Sequence, residues 1–296
     1  MRGKVRKMAG KHVKKKRRWP IVLGIIVVVL FAATVFLKMP GEPATQKLQP
    51  FFEQPIAHRG YFDNDSDAPE NTLAAFQRAI DHGYAIEIDT QVTADGTVIV
   101  LHDKSLLRTS GVDKNVENMT DAELAQCRIF KSNQHVPTLR EVLDLIDGKV
   151  PLLVEIKGEA GDDVANISAK TAEELDSYKG AYVVQSFNPF ALQWWMKNRP
   201  DVPRGILAKD FIADGEGQSI VNRLALSGMF TNVLCRPNFI SYELKSSGQL
   251  TFAAMKKLSN LDCFAWTLKS QAELDEAHAQ GFKGYIFDSF EAHMPN

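Results

Sequence analysis

Short apolar segments alternate with longer amphipathic segments over most of this 296-residue chain, and this alternation constrains its fold strongly. The short segments are rich in β-branched and aromatic residues, as strands are, and the longer ones space their apolar residues as helices do. Strands that alternate with helices form a parallel sheet. Because about 240 residues is the usual length of a closed eight-stranded barrel, we expect an α/β fold of the (β/α)8 (TIM) barrel type rather than an open sheet.

Eight strands and seven helices are predicted in the barrel. The predicted strands are residues 55–59, 85–93, 151–158, 181–187, 204–208, 230–235, 262–268 and 284–289. The predicted helices are residues 71–83, 138–148, 169–180, 190–199, 219–228, 250–260 and 270–281. A two-residue turn at Asp95-Gly96 predicts an extra antiparallel β-hairpin outside the eight barrel strands. The register of that turn would place Asp89 opposite His102.

A run of 19 residues without charge, residues 19–37, follows a strongly basic N-terminus. At 1.5 Å per residue this run makes a helix of roughly 28 Å, close to the thickness of the hydrocarbon core of a bilayer. The positive-inside rule places the basic end in the cytoplasm, so we expect a single-pass cell-membrane protein whose catalytic domain is extracytoplasmic. The expected organisation is a cytoplasmic tail (1–18), a transmembrane anchor (19–39), a linker (40–53) and a barrel domain (54–296).

The charge distribution argues against a nucleic-acid partner. Ten of the 35 Lys and Arg residues lie within residues 1–18, which leaves 25 against 36 Asp and Glu and a net charge of −11 on the rest. A nucleic-acid-binding domain needs positive charge on its folded body. The three cysteines, Cys127, Cys235 and Cys263, have neither disulfide nor metal-binding spacing and are expected to be buried.

Carboxylates recur on one face of two predicted strands. Because side chains alternate along a strand, Glu87 and Asp89 share the face that points into the barrel mouth, and Glu155 lies on the matching face of the next barrel strand. Three converging carboxylates repel one another unless a cation lies among them. Their oxygen donors favour Mg²⁺ or Ca²⁺ as a divalent cofactor. The alternative is that Glu155 pairs only with Lys157 or Arg59 and that no metal binds.

Two histidines are expected at the same mouth. His58 ends the first strand, and the carboxyl ends of barrel strands face the active site. The hairpin brings His102 to the edge of the carboxylate cluster. Two histidines, Arg59, Lys157 and a carboxylate-bound cation suit the cleavage of a phosphodiester. One histidine would take a proton from the nucleophile, and the other would give one to the leaving alkoxide.

Seven motifs carry a resemblance to a known family. In chain order they are HRG (58–60), PENTLAAF (69–76), EIDTQVTADGTVIVLHD (87–103), PTLREVL (137–143), LVEIKG (153–158), QSF (185–187) and AWTL (265–268). Together they resemble the glycerophosphodiester phosphodiesterase family over residues 55–290. The resemblance implies a (β/α)8 barrel that hydrolyses deacylated phospholipids to glycerol 3-phosphate and an alcohol, with a divalent metal.

The resemblance also implies roles for residues of this sequence. As an ordinary structural feature, Asn71 is expected to cap the following helix. Glu70 also lies in a family motif, and it either supports the metal site or anchors a loop. Trp266 is equally compatible with a substrate wall and with barrel packing. The implied roles are catalytic for His58 and His102, metal-binding for Glu87, Asp89 and Glu155, phosphate-binding for Arg59 and Lys157, and substrate wall for Trp266 and Gln185.

Three functions follow from these observations. The first is that of a phosphoric diester hydrolase, a metal-dependent glycerophosphodiester phosphodiesterase. The second is a lysophospholipase D-type activity on membrane lysolipids, because a barrel tethered near a bilayer would meet amphiphilic lysophospholipid substrates. The third is a catalytically inactive, membrane-anchored barrel that binds a partner or serves as a scaffold. The presence of both histidines and all three carboxylates favours an enzyme over the third function.

Overall fold

The structure, a computed structural model, describes residues 19–159, 161–214 and 219–295. Of Pro20, Ile21, Asp214 and Leu258 it describes the backbone alone. The predicted basic tail at residues 1–18 lies outside the described residues. The chain divides into two compact units, Met1–Phe36 and Leu37–Asn296.

A helix, α1, covers Trp19–Leu37, the same residues as the uncharged run. Among the helices that the structure describes in full, none is both long enough and apolar enough to cross a membrane. The transmembrane anchor at residues 19–39 is not shown by the structure and stays a prediction.

Nine strands in the described ranges form one sheet that closes into a barrel. All except β3 run parallel to their neighbours, and β1 pairs with both β2 and β9, which closes an eight-stranded parallel barrel. The antiparallel β3 pairs with β2 outside the barrel. The strands are β1 Ile56–Ala57, β2 Ala85–Val92, β3 Val98–Val100, β4 Leu152–Ile156, β5 Tyr182–Ser186, β6 Arg204–Ala208, β7 Phe239–Glu243, β8 Asp262–Leu268 and β9 Gly284–Phe287.

Helices connect the barrel strands, so the predicted (β/α)8 barrel with an extra hairpin is confirmed. Several helices begin at a side-chain cap; Thr138, for example, forms a capping box with Glu141. The helices after α1 are α2 Thr45–Leu48, α3 Leu73–Asp81, α4 Leu107–Ser110, α5 Asp121–Leu124, α6 Leu139–Ile146, α7 Val164–Leu175, α8 Pro189–Asn198, α9 Phe211–Asp214, α10 Ile220–Ser227, α11 Asn232–Cys235, α12 Leu250–Ser259 and α13 Gln271–Ala279. Short 3₁₀ helices cover Gln49–Phe51, Val116–Asn118 and Leu244–Ser246.

The strand predicted at residues 230–235 is wrong. That segment contains α11, which packs against α8 and buries Cys235. The barrel strand between β6 and β8 is instead β7, which follows Pro237. An apolar run of six residues fits a strand or a buried helical turn equally well, and here packing against α8 decides the matter.

The predicted register of the hairpin is wrong by one residue. Thr90 pairs with Val100, so Leu101 rather than His102 follows opposite Asp89. The backbone N–H of Leu101 donates to the carbonyl of Asp89 at 3.0 Å. Because β3 ends at Val100, His102 lies beyond the ladder, and the one-residue shift does not prevent it from reaching the barrel mouth.

A three-residue loop causes this shift. The predicted loop had two residues, Asp95 and Gly96. The observed loop has three, residues 94–96, because Thr93 N–H donates to Thr97 O at 3.0 Å and so closes the hairpin. Gly96 has φ +88° and follows a turn in which its N–H donates to Thr93 O at 3.0 Å. A turn followed by a left-handed residue is the common geometry of three-residue hairpin loops.

The barrel interior has an apolar floor and a polar mouth. Leu48 and Phe51 close the floor from below and are fully buried, so residues 45–51 belong to the barrel although they were predicted to be part of a linker. Because inward-facing residues recur every second position, the next inward residues on β2, β4, β5 and β7 are Glu87, Glu155, Gln185 and Ser241, all of them polar. The floor consists of Leu48, Phe51, Ile56, Ala85, Leu153, Val183, Phe239, Phe264 and Ile286.

Gly205 tests how tightly this floor is packed. It pairs with Phe239 across β6 and β7, and a Cβ at position 205 would lie 2.2 Å from Cε2 of that ring. The ring is held in place by Phe264, whose centroid is 4.9 Å away. We expect Gly205→Ala to lower the free energy of unfolding by about 1–3 kcal/mol in urea denaturation, because overpacking strains a filled core.

The matched control is Gly248→Ala, since among the described residues beyond its two chain neighbours no atom lies within 4 Å of the added Cβ. This variant should unfold with nearly the free energy of the unchanged protein. Equal stability of the Gly205 and Gly248 variants would contradict the packing described for the floor.

Candidate active site

A cavity of about 100 Å³ opens at the carboxyl ends of the barrel strands. It brings together all of the predicted site residues except Asp89, which is fully buried beside it. A larger open groove of about 470 Å³ lies at the ends of β6 and β7, but none of the predicted site residues lines it. The lining of the small cavity is His58, Arg59, Glu87, His102, Glu155, Lys157, Gln185, Phe187, Leu207, Trp266, Thr267 and Ile286.

Three carboxylates converge at the base of this cavity. Asp89 pairs with Glu155 in the parallel register of β2 and β4, and Glu87 lies two residues before Asp89 on the same face. One carboxylate oxygen from each residue lies within 4.8 Å of the other two, and all three side chains are buried. The alternation of faces along β2 and β4 therefore brings the three predicted metal-binding residues together.

The charges of this cluster are only partly balanced by the protein. Burial and the charges of Asp89 and Glu155 raise the pKa of Glu87 well above its usual range. Burial acts to raise the pKa of Asp89 as well, but the charges of Lys157, His102 and Arg59 together outweigh it, so the pKa is lowered. Oε1 of Glu87 is buried without a hydrogen-bond partner among the residues that the structure describes. An orphaned carboxylate oxygen beside two further oxygen donors fits a hard divalent cation.

Two cations of the protein, Lys157 and Arg59, lie against the carboxylates. Nζ of Lys157 is 2.8 Å from Oδ1 of Asp89 and 2.7 Å from Oε1 of Glu155. Burial opposes the charge of Lys157, but these carboxylates outweigh it and raise the lysine pKa. Arg59 has φ +57°, and its backbone N–H donates to Oε2 of Glu87 at 3.1 Å. The pairing of Glu155 with Lys157 therefore coexists with the cluster and does not replace it.

The two histidines differ in their surroundings. Nδ1 of His58 is buried and has no hydrogen-bond partner within the described ranges. Burial and the charge of Arg59 hold the pKa of His58 well below its usual range, so this ring is neutral at pH 7. His102 is more exposed, and its Nδ1 lies 2.7 Å from Oδ1 of Asp103. That contact leaves Nε2 of His102 as the nitrogen available to a bound molecule.

Apolar and aromatic side chains also line the cavity. Trp266 lines the cavity and also packs edge-to-face against Phe187, with ring centroids 5.4 Å apart. The Trp266 side chain therefore lies at the cavity wall and also takes part in aromatic packing, which were predicted as alternatives. Gln185 is buried at the cavity, where its Oε1 accepts from Oγ of Ser241 at 2.7 Å.

Some residues of the site have positions that the sequence did not reveal. Asn71 was predicted to cap α3, but Thr72 is the cap, accepting from Ala75 N–H. Asn71 has φ +54°, and its Nδ2 donates to Oδ2 of Asp89 at 2.8 Å. Its place in the PENT motif is a signal of function, but the direction of its side chain depends on the loop conformation.

The sequence pattern of the Glycerophosphoryl diester phosphodiesterase family matches residues 58–292 of this chain. The chain belongs to this family. It is an enzyme of the phosphoric diester hydrolase class, and the cavity described above is its candidate active site.

The family assignment agrees with individual relatives. The chain is 27% identical over 248 residues to the glycerophosphodiester phosphodiesterase of Caldanaerobacter subterraneus subsp. tengcongensis, covering 80% of this chain and 94% of that relative. It is 31% identical over 141 residues to Lysophospholipase D GDPD1 of Rattus norvegicus, covering 43% and 44% of the two chains.

A solved structure has the same fold. The phosphodiesterase OLEI02445 of Oleispira antarctica, determined with the product sn-glycerol-3-phosphate, superimposes with a TM-score of 0.65 at 24% identity. The superposition covers 80% of this chain and 92% of the other chain. The barrel architecture is thus shared with a protein of known structure.

Glu70 tests the electrostatics of the site. Burial acts to raise its pKa, but a hydrogen bond from Arg108 and the charges of Arg59 and Arg108 outweigh it and lower the pKa from 4.5 to about 2. A carboxyl with a lowered folded-state pKa stabilises the fold above its unfolded-state pKa, and this stabilisation is lost as the pH falls through the folded-state value. We therefore expect Glu70→Gln to lower the free energy of unfolding by about 2–3 kcal/mol at pH 7 and by about 1 kcal/mol near pH 3.

Denaturant unfolding of both proteins at the two pH values measures the difference. A loss of equal size at pH 7 and pH 3 would show that Glu70 acts through packing rather than through its charge.

Proposed function

We propose that this enzyme hydrolyses glycerophosphodiesters to glycerol 3-phosphate and an alcohol, in a metal-dependent reaction that uses His58 and His102 for proton transfer. One observation carries the proposal. The same small cavity is lined by both histidines, by Lys157 and by two of the three clustered carboxylates. A phosphodiester needs charge stabilisation at its oxygens, an acceptor for the nucleophile's proton and a donor for the leaving alkoxide. Side chains suited to all three tasks meet in this cavity.

Glu87, Asp89 and Glu155 are the residues that would hold the cation. When bound, a Mg²⁺ or Ca²⁺ ion would supply Lewis-acid stabilisation of the negative charge on the phosphoryl oxygens. The buried, unpartnered Oε1 of Glu87 and the all-oxygen donor set support this assignment.

The side chains of the enzyme supply the remaining chemistry. Lys157 and Arg59 are protonated and line the cavity, so they can donate to the phosphate oxygens of a bound diester. His58 is neutral and can accept the proton of the attacking hydroxyl, whether that belongs to water or to the glycerol of the substrate. His102, when protonated on both ring nitrogens, can deliver the proton of Nε2 to the leaving alkoxide while its Nδ1–H donates to Asp103. Each proton transfer contributes roughly 10²- to 10⁴-fold to the rate.

A second candidate activity is that of a lysophospholipase D. The observation that favours it is the apolar side of the cavity, formed by Phe187, Leu207, Trp266 and Ile286, which would suit an amphiphilic substrate. The partial similarity to Lysophospholipase D GDPD1 is consistent with this activity.

The two histidines provide the test of the acid/base proposal. We expect His58→Ala and His102→Ala each to lower kcat for glycerophosphocholine by about 10²-fold or more, because each removes one proton transfer. The matched control is His135→Ala, since His135 pairs with Glu141 at the start of α6 and does not line the cavity. Unchanged kcat in both active-site variants would refute the acid/base assignment.

Metal removal provides the test of the cofactor and of the substrate. The full chain is stripped with a chelator and assayed for choline release from glycerophosphocholine and, separately, from lysophosphatidylcholine, with and without Mg²⁺ or Ca²⁺. We expect release from the deacylated substrate to disappear on chelation and to return with the cation, because the clustered carboxylates need a counter-charge.

The outcomes of this assay separate the candidates. Faster release from the lysolipid would favour the lysophospholipase D activity at the same site. Full activity after chelation would exclude the metal from the mechanism.

A further inference from the structure

A continuous chain of ion pairs connects the two histidine-bearing segments at the edge of the cavity. Nη1 of Arg59, the neighbour of His58, donates to Oε1 of Glu70 at 2.8 Å. Both terminal nitrogens of Arg108 donate to the same carboxylate, at 2.9 and 2.7 Å. Nε of Arg108 donates to Oδ2 of Asp103 at 2.5 Å, and Oδ1 of Asp103 lies 2.7 Å from Nδ1 of His102.

The Arg108 guanidinium is the geometric centre of this chain. Its planar fork contacts two carboxylates at once, a bidentate contact with Glu70 and a single contact with Asp103. A guanidinium has its donors fixed in one plane, whereas a lysine ammonium is a single point charge. Lysine at this position would keep the positive charge, but it could not reproduce all three hydrogen bonds.

The Glu70 carboxylate gives the chain a buried anchor. It is 5% exposed and accepts from Arg59, from Arg108 and, at 3.0 Å, from Nδ2 of Asn64. A buried carboxylate with this many donors is held in one orientation. The position of the Arg108 side chain is therefore set from the barrel side through Glu70.

The segment that carries Asp103 and Arg108 is itself well packed. The connection between β3 and α6 has its own small core, which includes the fully buried Leu106. Phe130 from the same connection lies beside the Arg108 guanidinium, with the ring centroid 5.7 Å from Cζ. The Phe130 ring is therefore a second contact of the Arg108 guanidinium, besides its two carboxylates.

We infer that Asp103 and Arg108 are positioning residues for His102: Asp103 fixes the imidazole through Nδ1, and Arg108 fixes Asp103 against Glu70. The inference rests on the proposed function, in which His102 transfers a proton at the cavity. Asp103 and Arg108 do not line the cavity, so they act through His102 rather than on the bound molecule. With Nδ1 held, the ring presents Nε2 in one orientation and one tautomer.

The kinetic test uses Asp103→Ala, Arg108→Gln and Arg108→Lys in the full chain with its activating cation. We expect each variant to lower kcat for glycerophosphocholine by about 10- to 100-fold, with KM changed by less than about 3-fold, because orientation of the proton-transfer group is lost while the phosphate-binding groups remain. Arg108→Lys should not restore kcat. The matched controls are Arg199→Gln and Arg199→Lys, because Arg199 makes a similar two-point contact with Asp176 outside the cavity.

If Asp103 and Arg108 had only a structural role or only an electrostatic role, the variants would give results different from those expected above. If the variants only destabilise the fold, melting temperatures fall while kcat per folded molecule stays unchanged. If Arg108 acts only as a charge, Arg108→Lys restores kcat. Either result would overturn the inference.

A spectroscopic readout tests the tautomer without relying on turnover. In the full chain labelled with ¹⁵N-histidine, the signal that disappears in His102→Ala identifies His102. At a pH where the His102 ring carries one proton, we expect that proton on Nδ1 in the unchanged protein, and on Nε2 in part of the molecules of Asp103→Ala. An identical His102 spectrum in the two proteins would overturn the inference.

The same set of variants distinguishes this inference from the proposed function. If His102→Ala is inactive and Asp103→Ala retains full kcat, the inference fails while the proposed function stands. If His102→Ala retains full kcat, the proton-transfer role and the inference fail together. If both are correct, adding Asp103→Ala to His102→Ala causes no further loss of kcat, because Asp103 acts only through that ring.

Discussion

Repulsion among three buried carboxylates is the constraint on which the rest of the active site depends. Glu87, Asp89 and Glu155 place oxygens within 4.8 Å of one another, and their burial limits how far water can screen the charges. Lys157 and Asn71 engage Asp89, but Oε1 of Glu87 has no hydrogen-bond partner within the described residues. A cluster of this kind persists in a stable fold when the barrel holds its strands rigidly and a cation can balance the remaining charge.

The barrel meets the first of these conditions by separating its floor from its mouth. On β4, Leu153 belongs to the apolar floor and Glu155, two residues later, belongs to the cavity. The same step occurs on β5, from Val183 to Gln185. Because each strand crosses from one layer to the other, hydrophobic burial below stabilises a polar arrangement above that would be unfavourable on its own.

Further charged side chains come to the edge of this mouth from loops. Glu70 lies before α3, and Arg108 lies in the connection between β3 and α6, yet the two side chains are joined by two hydrogen bonds. A TIM barrel commonly takes its catalytic specialisation from the connections after its strands. Here the connection between β3 and α6 has a small hydrophobic core of its own. This core makes the connection rigid enough to hold charged groups near His102.

The alternation of strands and helices, the closed barrel, and the common inward face of Glu87 and Asp89 follow from the sequence, because side-chain periodicity is a local property that each segment carries alone. The seven motifs between residues 58 and 268, taken together, also indicate the family from the sequence. The tertiary fold, by contrast, decided which apolar segment became β7 and that the hairpin loop has three residues. It also decided that Asn71 contacts Asp89 and that Arg108 reaches Glu70. Those outcomes depend on contacts between segments distant in sequence, where packing and charge balance override local preference.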